Sequence, residues 1–135
     1  MRIERKAIVP AAMQAVYEKI RYAPAVKAGN TIYVSGQIGR DANMQLIEDR
    51  EAQIVQAFEN LKLVLEEAGA SLSDVVDVTT FHTDMRDLPL FMQVRERYLN
   101  THPLPAWTAV GAHMLGGAAG YIVEIKAVAV IGDSV

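Results

Sequence analysis

The stretch "EAQIVQAFENLKLVLEEAGASLSDVVDVTTFHTDM", Glu51 to Met85, changes its hydrophobic period once, and that change decides the fold. From Glu51 to Ala68, the residues Ile54, Phe58, Leu61, Leu65 and Ala68 recur at helical spacing on one face. Gly69 is a natural C-terminal stop. After a turn at "SLSD" the period drops to two. Val76, Val78, Thr80 and His82 fall on one side, and Val75, Asp77, Thr79, Phe81 and Thr83 on the other. A long amphipathic helix therefore feeds a long strand.

Toward the C-terminus, Asp87 is placed to cap a second helix with Pro89 in its first turn. Phe91, Val94 and Tyr98 would line its inner face, and Pro103 and Pro105 would end it. Ala106 to His113 reads as a strand, Gly116-Gly117 as a turn, and Tyr121 to Ile131 as a last strand. Toward the N-terminus, Ile32 to Ser35 reads as a strand that ends at Gly36, with turns at Gly29-Asn30 and Asp41-Ala42-Asn43. Met13, Val16 and Ile20 mark a helical stretch from Ala11 to Ile20 that breaks at Tyr22-Ala23-Pro24. Arg2 to Val9 is a weak edge strand. The order strands, helix, strand, helix, strand, strand predicts one α+β domain over 1–135, with two helices on one face of a mixed sheet. The other face needs a cover. No third helix is strong enough, so identical chains closing into a ring are the expected solution.

Composition narrows the function classes. Of 135 residues, 51% are apolar, which excludes a disordered chain. There is no cysteine, hence no disulfide, thiolate ligand or thiol nucleophile. The net charge is -3 with scattered basic residues, which gives no footprint for nucleic acid. The charged start, Met1 to Lys6, is not a secretory leader, and no run approaches the ~18 apolar residues of a membrane span. The expected location is the cytoplasm.

Few residues suggest chemistry on their own. His82, His102 and His113 are not paired at metal-ligand spacing, so no metal is expected. His82 reads as a satisfied structural histidine, and His113 as a strand-end residue with a structural or a pocket role. Ser35 lacks a nucleophile elbow, and "GQIGRD" fits no phosphate loop. Its hydroxyl can still hold a water or a substrate atom. Glu124 and Lys126 share one face of an otherwise apolar strand. They form either an exposed pair of little energetic weight or a carboxylate partly buried at an interface, with a raised pKa and a water to position. Trp107, the only tryptophan, follows a proline-rich turn that presents it.

Taken together, "AVKAGNTIYVSGQIGRD", "FENLKLVLEEAGASLSDVVDVTTFHTDMRD", "PLPAWTAVGAHML" and "VEIKAVAV" resemble the RidA family, also called YjgF/YER057c/UK114, from about Tyr22 to Val130. The resemblance implies a chorismate-mutase-like fold, a homotrimer, and ligand clefts between subunits. It also implies hydrolysis of reactive enamines and imines, such as 2-aminoacrylate, to keto acids and ammonia, with no cofactor. By resemblance, Tyr22 is the family's cleft tyrosine, Ser35 its serine after the first long strand, and Glu124 its water-positioning glutamate. Met92 stands where an asparagine is often found, and Ala109 where a cysteine is common. Thr108 keeps the Ser/Thr of the Pro-Ala-Arg-Ser/Thr signature, and Trp107 replaces its arginine. An indole cannot fork two hydrogen bonds onto a carboxylate as a guanidinium does. The expected function is therefore an imine or enamine deaminase of an arginine-lacking branch, acting on a small molecule without the usual carboxylate clamp. Trp107, Met92, Thr108 and Ala109 would shape its pocket. The alternative is a non-catalytic trimer that binds a small metabolite or a partner protein. A ribonuclease ranks last because the charge is wrong for it.

Overall fold

The computed structural model describes residues 2–116 and 118–132. Eight strands and helices run in the order β1 (Arg5–Ile8), β2 (Ala25–Ala28), β3 (Thr31–Ile38), α1 (Arg50–Glu67), β4 (Val75–His82), α2 (Leu88–Arg95), β5 (Ala106–Gly111) and β6 (Val123–Val130). They build one six-stranded sheet ordered β1-β2-β3-β6-β4-β5. All neighbours are antiparallel except β4 and β5, which run parallel across the α2 crossover.

Both helices cover one sheet face. Asp49 caps α1 by accepting from the Ala52 N–H at 2.9 Å, and Gly69, at φ +82, lets the chain leave it. The apolar stripe read from the sequence is the buried stripe: Ile54, Phe58, Leu61, Leu65 and Ala68 are all buried. Phe58 stacks on Phe91 at 5.6 Å and on Tyr98 at 4.9 Å, joining α1 to α2 and the turn beyond it. Among the described residues, no helix is long and apolar enough to cross a membrane.

Several boundaries differ from expectation for local reasons. Residues 11–20 form a 3-10 turn (Ala11–Met13) and a π turn (Val16–Ile20), not a regular helix. Val16 is buried, but Ile20 is half exposed. Pro10 gives the segment no side-chain cap, and Arg21, at φ 74, stops it. Strand β2 is four residues long, too short for a readable alternation, and is fixed by pairing with both β1 and β3. Strand β3 does not end at Gly36 but runs through a bulge between Val34 and Gln37 to Ile38. A second bulge between Val75 and Asp77 leaves Val76 exposed, whereas Val75, Val78, Thr80 and His82 are buried. Asp87 sits at the start of α2 without capping it; its buried carboxylate pairs with Arg50. Helix α2 stops being regular at Arg95, before either proline. There the Arg97 and Tyr98 amides turn to carbonyls three residues back. Strand β5 ends at Gly111, so His113 lies beyond it, and β6 begins at Val123. Gly117, half of the predicted turn, lies outside the described residues.

Gln53 ties α1 to the chain entering β6. It is buried, and its Nε2 donates to the carbonyls of Ile47 and Gly120, each at 3.0 Å. Its Oε1 accepts from the Ile122 N–H at 2.6 Å. Gln53→Ala leaves three partly shielded backbone groups without their partner and is expected to cost about 2 kcal/mol. Urea unfolding measures that loss. Amide exchange should quicken at Ile122 first, and an unchanged Ile122 amide would contradict the account.

Candidate functional site

Three of the residues singled out by sequence converge on the sheet face away from the helices. Ser35 sits in the β3 bulge, where its Oγ donates to the Ala23 carbonyl at 2.7 Å and its N–H donates to Pro24 O at 2.9 Å. These bonds hold the linker after Arg21 against β3, and with it Tyr22, which remains 39% exposed. From β6, Glu124 stands beside Ile38 on one side and Phe81 on the other. Tyr22, Ser35, Gly36, Arg40 and Glu124 together line a cavity of about 410 Å³.

Gly36 makes room for the carboxylate. A Cβ there would lie 2.4 Å from Glu124 Oε2 and 2.7 Å from its Cγ. The Glu124 side chain thus lies flat on the Gly36 backbone, a close approach only glycine permits. Burial pushes the Glu124 carboxyl above its ordinary range, and Lys126 opposes the shift only in part. Such a carboxylate gives up and takes back a proton nearer neutrality than a free one does.

Trp107 lies elsewhere. On β5 it stands beside Val78, so its indole shares the helix-covered face of the sheet, opposite Glu124. Its Nε1–H donates to Thr80 Oγ1 at 2.9 Å, and Thr80 lies 2.7 Å from His82 Nε2. Tryptophan can only donate, so Thr80 Oγ1 accepts from the indole, and its second hydrogen bond runs to His82 Nε2. The indole N–H is committed inside the fold and is not offered to a ligand. One face of the ring stacks on Phe91 at 5.8 Å, and the Arg95 guanidinium sits 4.5 Å from the ring centre. Ala109, two residues on, is half-buried; Thr108 and, on α2, Met92 are exposed. Within one chain, Trp107 and Ala109 therefore lie on the sheet face opposite Glu124, while Thr108, between them and beside Thr79, alternates to the open face.

Sequence reading missed Gly36, taken as a strand end. It also missed Arg95, although a charge four residues after Phe91 on an inner helix face was the available signal. His82 is the structural histidine expected, and burial lowers its pKa. As pH falls below about 6.5, the unfolded chain takes up a proton that the folded chain refuses. The stability contribution is therefore intact above that pH and is lost below it. The urea midpoint at about pH 5.5 should fall relative to about pH 7.5, and His82→Gln should shrink the difference. An equal drop in both proteins would contradict this.

The family model described as Endoribonuclease L-PSP matches residues 12–131. RutC family protein YjgH of Escherichia coli (strain K12) is 38% identical over 128 residues, covering 94% of this chain and 95% of that protein. A 2-iminobutanoate/2-iminopropanoate deaminase of Dermatophagoides farinae is 38% identical over 112 residues, covering 82% of this chain and 85% of that one. A solved structure of protein YJGH superposes with a TM-score of 0.87 at 37% identity, over 97% of this chain and 99% of that one. With the mixed α+β sheet matched over nearly its whole length, the chain belongs to the YjgF/RidA family.

Proposed function

We propose that this protein hydrolyses reactive imines or enamines to carbonyl compounds and ammonia, in clefts completed where chains of a homotrimer meet. The observation that carries the reading is Glu124: a half-buried carboxylate with a raised pKa, seated on Gly36 in a cavity shared with Tyr22 and Ser35. The Dermatophagoides farinae relative named as a deaminase supports the same chemistry. An enamine first takes a proton on carbon to give the iminium. Glu124 accepts a proton from a water as its oxygen bonds to the iminium carbon. Glu124 then returns that proton to the carbinolamine nitrogen, so the C–N bond breaks with ammonia as the leaving group while the hydroxyl gives its proton back to Glu124 and the carbonyl forms; release of that proton to solvent resets the carboxylate. The substrate is already electrophilic, so a positioned base and water suffice.

Two features support assembly. Tyr33 and Val130, with half-buried Val128 and Phe81, leave an apolar stripe on the face the helices do not cover. The Trp107 edge also cannot reach Glu124 within one chain; a neighbouring chain supplies that edge. Trp107 in place of the signature arginine favours a substrate with a bulky apolar side chain.

The test generates imines in situ from a panel of amino acids with an amino-acid oxidase, and traps unhydrolysed imine with semicarbazide. The expected result is faster loss of trappable imine for at least one bulky apolar amino acid. No acceleration for any member of the panel would overturn the proposal.

A further inference from the structure

Beside Trp107, the structure holds a cation with nothing to neutralise it. The Arg95 guanidinium rests on the indole face and, among the described residues, meets no carboxylate and no hydrogen-bond acceptor. It is half-buried, so water solvates it incompletely. The Trp107 beneath it is fixed by stacking on Phe91 and by Thr80 at its N–H. Side-chain freedom that an arginine ordinarily loses on binding an anion is thus already lost here. Arg95 and Trp107 also line a cavity of about 490 Å³ whose remaining walls include Val78, Leu99, Leu104 and Pro105. Its volume, and a mostly apolar body with a few polar groups, Glu96, Asn100 and His102 among them, are those of a small-molecule site.

The geometry points to Arg95 as the anion-binding residue of this chain, taking a small monocarboxylate whose branched or aromatic body fills the cavity under the β5 edge. A guanidinium matches a carboxylate with two parallel hydrogen bonds. The acidic Glu96 lines the same cavity and disfavours a second negative charge, which selects against dianions and phosphates. Trp107 orients Arg95 and does not itself hold the anion. On the hydrolase reading, on which this last step rests, the anion is the substrate's own carboxylate, gripped from α2 and not from β5.

Binding of 4-methylpentanoate and of its neutral counterpart 4-methylpentanamide tests the proposal, read by calorimetry and by the fluorescence of the single tryptophan. The acid should bind wild type at least ~10-fold more tightly than the amide. Arg95→Met should remove that preference. Arg95→Lys should keep part of it, and it keeps the test valid if the Met variant disturbs the Trp107 near-ultraviolet signal. Equal binding of acid and amide, or a preference that survives Arg95→Met, overturns the proposal. Glu124-dependent imine turnover without carboxylate preference would sink the Arg95 site and leave the hydrolase reading standing. Carboxylate binding lost in Arg95→Met, with no imine turned over, would do the reverse.

Discussion

Glu124→Gln is expected to lower kcat for imine hydrolysis by about 10²- to 10⁴-fold, the range lost with a positioned general base. Glutamine keeps the shape of the side chain and its seat on Gly36, so the loss isolates proton transfer. Wild-type rate should fall as pH is lowered through the Glu124 pKa, which burial lifts above the usual carboxylate range; the variant should lack that limb. The stability effect has the opposite sign. A carboxyl whose folded pKa is raised contributes most below its unfolded pKa, and that contribution is lost as pH rises through the folded value. At neutral pH the variant should therefore be no less stable than wild type. A variant that is slow because it melts, or a pH limb that survives the substitution, would contradict the role.

Gly36→Ala is expected to cost about 10²-fold in kcat/KM, a loss typical of a misplaced catalytic group. The added methyl would occupy the space of the Glu124 carboxylate, with contacts of 2.4 to 2.7 Å to Oε2, Cδ and Cγ. The Glu124 side chain is the part that can yield, because it is half-exposed and flexible, whereas β3 is held on both sides by β2 and β6. Activity should fall while the thermal midpoint stays within a few degrees of wild type. A comparable loss of both would make Gly36 a folding residue and not the seat of the carboxylate.

The fold was legible where a period persisted. Over Glu51 to Ala68 the helical repeat is long enough to be unambiguous, and every residue of the stripe it names is buried, although Gln53, Ala57 and Val64 are buried beside them. It failed where pairing or a bulge overrides pattern. Strand β2 owes its existence to its two neighbours, and Val76 is turned outward by an extra residue that alternation cannot reveal. Ser35 and Glu124 were legible singly as polar groups of note, but only family resemblance joined them with Tyr22 in one cleft, since nothing in their spacing brings positions 22, 35 and 124 together. Trp107 was legible as unusual but not in its orientation. Its partners Thr80 and Arg95 come from β4 and α2, and their approach depends on the parallel crossover. Gly36 looked like punctuation because a glycine required by a neighbouring side chain and one that ends a strand are identical in sequence.

The central claim is that Glu124 turns over imines, and its most direct measurement is the rate of ammonia release from an imine generated in situ. Wild type and Glu124→Gln would be run side by side, at equal concentration and with their assembly state checked by sedimentation. The account expects wild type to shorten the imine's lifetime well below that in buffer, and the variant to return it close to the buffer value. Equal rates for wild type, variant and buffer would contradict it, as would full activity in the variant.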